Sequence, residues 1–366
     1  MKKIGIITFH MACNYGAVLQ TYALQNKLMD IYGKDKVEII DYYAPAIEDR
    51  TKILYLAKTG NLIRDIIRFI IKFIPKCIKY YKFKIFRNKY LKLSDMRFNK
   101  SNIGMANDKY YALVTGSDQV WNIMSTNYDD SYFLTFADDE VIKFSYAASF
   151  GFDNVFKINQ KNILYKLNSF DEISIREDIG YELIQQNVNC RVQVNVDPTL
   201  LLSRIDWDVI RKINDIKYEY ILVYCILPSN KLLNHVRKIA KKENLKVYYI
   251  SDDMVNNDFI HLRNLSVGEF INWIANAKYV ATTSFHGTVF SILYNKSFFV
   301  EYETKLNYNY RVKHLLELLN IENKNIESKD FNHCSLINWT EVEKILDNER
   351  KKSIEYLKSI EDFKGK

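Results

Sequence analysis

The chain is predicted to fold as two consecutive open α/β domains, Rossmann-like in pattern, facing each other across a cleft. Three observations carry this prediction. Short, continuous apolar segments alternate with amphipathic helical ones, the pattern of a parallel sheet covered on both faces. The alternation stops in the polar stretch Ser203–Tyr218 and then restarts. A length of 366 residues is long for one domain and comfortable for two.

In the first half, strands are predicted at Lys3–Thr8, Val37–Tyr42, Tyr111–Thr115, Ile142–Ala147, Glu172–Ile175 and Val192–Asn195. Helices are predicted at Ala17–Ile31, at Asn61–Tyr90 with a break near Pro75, at Lys157–Asn168 and at Ile179–Gln186. In the second half the strands are Tyr220–Leu227, Lys246–Ile250, Tyr279–Thr283 and Ser297–Val300, and the helices Lys231–Glu243, Val267–Ala275, Thr288–Tyr294 and Tyr310–Leu319. A last helix from Glu341 to about Ile360 lacks a strong core-facing stripe. The domains are therefore drawn as 1–205, with a basic amphipathic insertion at 58–92, then 206–340, and a terminal helix at 341–366.

Composition is globular: 48% hydrophobic and 26% charged, with 4 prolines and 11 glycines. The five cysteines form no C-x-x-C pair and no zinc-type cluster, so no metal is expected and a reducing, cytoplasmic location fits. The opening Met-Lys-Lys-Ile-Gly-Ile-Ile reads as a first strand, not a signal peptide, because no small-residue cleavage site follows. No apolar run is long enough to span a membrane.

The formal net charge of +8 is concentrated. From Lys58 to Lys92 the lysines and arginines meet a single acid, Asp65, and Arg64, Arg68, Lys72 and Lys76 recur every fourth residue. Such a segment can lie on an anionic membrane at its cytoplasmic face. It can equally be a helix with a solvated basic face. Nucleic acid is not expected, since no recognition module is present.

In open α/β sheets ligands sit beyond the carboxyl ends of the strands, so the loops there hold the candidates. The most informative is Ser284-Phe-His-Gly-Thr288, where a strand turns into a helix. Free backbone amides and the positive helix end suit an anion, and His286 can touch it or hand it a proton, or else merely cap the turn. After the first strand, His10, Asn14, Tyr15 and Gly16 precede a helix that Asn14 can cap, and His10 and Asn14 can hydrogen-bond a ligand hydroxyl. In the next loop Gly116, Ser117, Asp118, Gln119 and Trp121 resemble a sugar-binding edge, with Asp118 as a general base or as an N-cap. Arg176 can grip an anion or pair with Glu177 or Asp178. Arg311 can reach an anion held by the 286 loop.

Five motifs in order resemble the polysaccharide pyruvyl transferase family: Gly5–Phe9 with Asn14–Leu24, Thr115–Asn122, Ile173–Asp178, Val196–Thr199 and Ser284–Gly287. The resemblance spans about residues 3 to 320. It implies a fold like the GT-B glycosyltransferases, with the last helix crossing back to the first domain. It also implies transfer of pyruvate from phosphoenolpyruvate, a co-substrate with no further cofactor, onto two hydroxyls of a glycan sugar as a cyclic ketal. The setting would be exopolysaccharide or capsule biosynthesis on a lipid-linked acceptor. The second domain would hold the donor through His286, Ser284, Gly287 and Thr288, with Arg176 of the first domain as an anion contact; the first would hold the acceptor through His10, Asn14, Tyr15, Gly16, Ser117, Gln119 and Trp121. Family members commonly carry an arginine just before the position of Phe285 or His286, where this chain has Ser284 and Phe285. Arg311, Arg176 or Lys305 would then supply the cation. Two alternatives remain at this point: a nucleotide-sugar glycosyltransferase on the same fold, and a membrane-attached glycan-binding protein without catalysis.

Overall fold

A computed structural model describes the chain except for residues 1, 49–61, 152–157, 179, 215, 227–228, 252–257, 302–309 and 365–366; of 62–72 it describes the backbone alone. Two all-parallel sheets form the frame. The first has the order β3-β2-β1-β4-β5-β6-β7, from β1 (Lys3–Ile7), β2 (Val37–Tyr42), β3 (Leu93–Phe98), β4 (Tyr110–Asp118), β5 (Ile142–Ala148), β6 (Glu172–Ile175) and β7 (Arg191–Val194). The second has the order β10-β9-β8-β11-β12, from β8 (Tyr220–Tyr224), β9 (Lys246–Ile250), β10 (Ile260–Leu262), β11 (Tyr279–Thr282) and β12 (Ser297–Val300). Strand order reverses between β1 and β4 in one sheet and between β8 and β11 in the other. Such switch points open a crevice at the strands' carboxyl ends, and here the two crevices face each other.

Taking helices of seven residues or more, the described chain holds α1 (Tyr15–Tyr32), α2 (Leu62–Tyr90), α3 (Gln160–Leu167), α4 (Tyr181–Asn187), α5 (Asn230–Glu243), α6 (Val267–Asn276), α7 (Phe285–Leu293), α8 (Tyr310–Leu318) and α9 (Trp339–Lys358). The central strands carry continuous apolar stretches, and Ile4, Ile6 and Ile7 in β1 and Ile221, Leu222 and Val223 in β8 are fully buried.

Three expectations need correction. Two strands escaped the sequence pattern, β3 and β10. Both are edge strands among the described residues, where polar residues such as Ser94, Asp95 and Arg97 are tolerated because one side pairs with no described strand. The helix expected to break near Pro75 runs on through it for 29 residues. The last helix does bury a stripe, Val342, Leu346, Ser353, Tyr356 and Leu357. It lies back across the first lobe: the Tyr356 hydroxyl donates to the Ser145 carbonyl (2.8 Å), Asn195 to Ser353 Oγ (3.1 Å), and Tyr32 to the Leu357 carbonyl (2.6 Å).

The lobes meet through aromatic residues. Tyr15, at the start of α1, stacks on Phe270 of α6 with centroids 4.3 Å apart and donates to the Leu265 carbonyl (2.9 Å). Trp207 bridges Tyr22 of the first lobe and Phe290 of the second. Glu269 of α6 accepts from Lys82 of α2 (3.0 Å) and from Lys212 (2.7 Å). Burial pushes its carboxyl up, but these lysines and the Ser266 amide outweigh that and hold it at about 2.

Candidate functional site

A cavity of about 440 Å³ lies between the lobes, at both switch points. The first lobe supplies Asn14, Asp118 and Gln119 from the loops after β1 and β4. Helix α2 supplies Lys76, Lys79 and Tyr80, and the second lobe Ser284, Phe285, His286 and Arg311.

His286 owes its position to a short turn. Strand β11 ends at Thr282, and Ser284 caps α7 by accepting from the Gly287 amide (3.3 Å). The histidine is therefore not the cap; it stands in the first helical turn. The turn is tight because position 287 carries no side chain: a Cβ there would lie 2.4 Å from Thr282 Oγ1. Across the cleft the first turn of α1 comes equally close, and a Cβ on Gly16 would fall 2.0 Å from His286 Nδ1. Gly16 and Gly287 thus shape the site through what they lack.

Behind the imidazole is a buried charge cluster. Nε2 of His286 has no hydrogen-bond partner among the described residues and lies 3.7 Å from Asp197 Oδ2. Asp197 is itself held by Arg176 Nη1 (2.8 Å) and by the amide and hydroxyl of Thr199 (3.0 and 2.6 Å). Burial pushes this carboxyl up, but His286, Arg176 and Thr199 together hold it well below the carboxylate range. Asp197 is a site residue that sequence reasoning noticed only as part of Val196–Thr199. The signal available was an acid within that motif, placed just past β7 as the cap of a short turn.

Ser284 and Phe285 fill the two places where an arginine was expected, and two guanidiniums flank the Phe285 ring. Arg176 lies 5.0 Å from the ring centroid and Arg311 5.8 Å. Arg176 serves the cluster and not the main cavity. It pairs with Asp197, more weakly with Glu177 (3.5 Å) and distantly with Asp118 (3.9 Å), while neither Glu177 nor Asp178 is its principal partner. Arg311 differs in lining the cleft. Like Arg176 Nη2, its Nε has no hydrogen-bond partner among the described residues, and burial together with repulsion from Arg176 pushes its pKa down to about 10. A desolvated cation with an unmet donor is completed by an anion. Lys305 lies outside the described residues.

The acceptor-side candidates divide. Asn14 caps α1, accepting from the Ala17 amide (3.3 Å), and still faces the cleft, as do Asp118 and Gln119. Asp118 has a φ of 69°, caps no helix, and accepts from the Gln119 amide (2.9 Å); Asn122 caps the short turn that follows. Trp121 is no sugar platform. It is fully buried, stacked on Phe133 (5.6 Å), with its indole donating to the Tyr132 carbonyl. His10 turns away and pairs with Asp41 (3.2 Å). Ser117 is buried and donates to the Ala147 carbonyl (2.7 Å), and Thr288 donates to the Ser284 carbonyl (3.1 Å). Tyr15 belongs to the contact between lobes.

Sequence reasoning placed the basic segment on a surface and missed that part of it enters the site. Its described half has three faces. Phe83 and Phe86 enter the core, Lys76, Lys79 and Tyr80 face the cleft, and Ile74, Ile78, Tyr81 and Ile85 are exposed at spacings of one helical side. The side chains of Arg64, Arg68 and Lys72 lie outside the described residues. No helix among the described residues is long and apolar enough to cross a membrane.

The sequence model of the polysaccharide pyruvyl transferase family matches residues 14–302. Similar solved structures include the UDP-GlcNAc 2-epimerase of Methanocaldococcus jannaschii in complex with UDP-GlcNAc and UDP (10% identity, 99% of this chain and 100% of that one, TM-score 0.49). A Streptomyces glycosyltransferase complexed with thymidine diphosphate matches at 10% identity, 99% and 100% coverage and TM-score 0.46. The E. coli ADP-heptose lipopolysaccharide heptosyltransferase II matches at 9% identity, 96% and 99% coverage and TM-score 0.38. A search of curated proteins finds no match.

Proposed function

The chain belongs to the polysaccharide pyruvyl transferase family, a family of transferase enzymes, and from that premise we propose that it moves the pyruvate moiety of phosphoenolpyruvate onto two hydroxyls of a glycan sugar. The observation that carries this reading is the pairing, on one cleft wall, of His286 backed by Asp197 with the buried cation Arg311, whose Nε has no partner among the described residues.

The donor needs a cradle for a carboxylate and a phosphate, and a proton for its methylene carbon. Arg311 and the N-terminal turn of α7 suit the anionic groups. With Nε2 toward Asp197, Nδ1 of His286 is left to deliver the proton, and the ionised Asp197 stabilises the charged ring. Protonation at C3 makes C2 oxocarbenium-like. One sugar hydroxyl adds to C2 and passes its proton to Asp118. The C2–O bond to phosphate then breaks, inorganic phosphate departs with the proton that Asp118 took, and a second hydroxyl closes the ketal, its proton returning to His286. Net, phosphoenolpyruvate and a diol give a ketal and phosphate. Asn14 and Gln119 are positioned to bind the sugar, and Arg176 positions Asp197 without touching donor or acceptor.

The exposed Ile74, Ile78, Tyr81 and Ile85, on the helix that also lends Lys76 and Lys79 to the cleft, suit a peripheral site on an anionic membrane and hence a lipid-linked acceptor. The test is mass spectrometry of sugar acceptors incubated with the protein and phosphoenolpyruvate. A product heavier by a pyruvate ketal, with phosphate released, supports the reading. Turnover of a nucleotide sugar with phosphoenolpyruvate ignored would replace it.

A further inference from the structure

At the opposite end of β11 from His286, three chain segments bring together metal-binding side chains. Glu243 is the last residue of α5, and Tyr279 opens β11. His333 and Cys334 belong to the segment that leads from the second lobe to α9. His333 Nε2 lies 3.2 Å from Glu243 Oε1 and 3.1 Å from Cys334 Sγ, and the three ligand atoms all fall within 4.8 Å of one another.

We propose that Glu243, His333 and Cys334 form a divalent-cation site of zinc type, with a water as fourth ligand. Imidazole nitrogen, thiolate sulfur and carboxylate oxygen are the donors zinc takes, at about 2.0–2.3 Å, and three protein ligands plus water complete a tetrahedron. An ion between the three atoms reaches all of them with small side-chain adjustments. The charge also fits: a thiolate and a carboxylate neutralise a dication, and the carboxyl end of α5 points its negative pole at the same place. Only Oε1 of Glu243 is needed. Oε2 stays with Lys278 (3.1 Å), whose charge Glu219 shares (2.9 Å).

The scaffold is held before any ion arrives. Buried Lys324 donates to the Ser335 carbonyl (2.6 Å), and the Cys334 amide donates to Asn332 Oδ1 (2.9 Å), so the backbone on both sides of the thiol is fixed. The Tyr279 hydroxyl donates to Glu243 Oε1 (3.0 Å) and orients the carboxylate. The site binds cation and takes no part in transfer; it ties the returning segment to α5 and β11.

The test uses the full chain, stripped with chelator and titrated with Co²⁺ alone. Stoichiometric binding with a thiolate-to-cobalt charge-transfer band, bleached by Zn²⁺, is the expected result. Cys334→Ser should abolish that band and the rise in thermal midpoint that Zn²⁺ gives the wild type; Cys334 is exposed, so this variant leaves the core intact. His333→Ala should weaken cobalt binding. Absence of the band in the wild type, or an undiminished band in Cys334→Ser, overturns the proposal.

Discussion

The imidazole of His286 has room only because position 16 lacks a side chain. Gly16→Ala should therefore push the ring off its station beside Asp197. We expect phosphate release from phosphoenolpyruvate to fall steeply with little change in thermal midpoint, and normal turnover would show that the ring can relocate. His286→Ala removes the proton donor itself and should cost at least ~100-fold in turnover. Arg311→Ala acts differently, because a binding cation is lost while the proton path remains. The Michaelis constant for phosphoenolpyruvate should rise ~10-fold or more, as expected for a charge-assisted contact of about 1.5–3 kcal/mol, and an unchanged constant would remove Arg311 from donor binding. Residue identities alone picked out His286, Asp118 and Arg311, which the fold brings to one cleft. They misplaced Trp121 and His10, because a polar-looking loop does not disclose which side chains fold under it. Trp121 is claimed by Phe133 and His10 by Asp41, contacts reaching 12 and 31 positions along the chain.

Among the elements, α2 and α6 are joined through Glu269. Its folded carboxyl sits at about 2, below the usual 4.5, so the stabilisation is fully present above about pH 4.5 and is lost as pH falls toward 2. Glu269→Gln should lower stability near neutrality by about 1–2 kcal/mol, allowing for the solvent exposure of Lys212 and part of Lys82. Urea midpoints at neutral pH and near pH 3 should show the gap between wild type and variant narrowing in acid; a constant gap would mean the pair is not what the variant disturbs. At this scale the sequence was informative wherever the apolar period was strong. The strands β1, β2, β6, β9 and β12 all declare themselves that way. It was silent for the polar edge strand β3 and the three-residue β10, and it read α9 as weakly amphipathic because that stripe includes Ser353 and Tyr356, which meet partners on the first lobe.

For the whole molecule, the cleft and the proposed lipid-facing stripe share one helix. If α2 docks the protein, replacing Ile78 and Tyr81 with aspartate should abolish co-flotation with anionic vesicles while sparing turnover of a water-soluble acceptor. Wild-type flotation by that variant would assign the exposed stripe another role. The pairing of two lobes was legible from the restart of the pattern after Ser203, but the seam between them was not, since Tyr15, Trp207 and Phe270 look like ordinary core residues until the fold brings them together. The return of α9 to the first lobe means that the second lobe hangs from the first by two separate runs of chain, one leaving after β7 and one arriving before Trp339. Both runs must therefore follow any movement of one lobe against the other, and both lie outside the wall that carries His286.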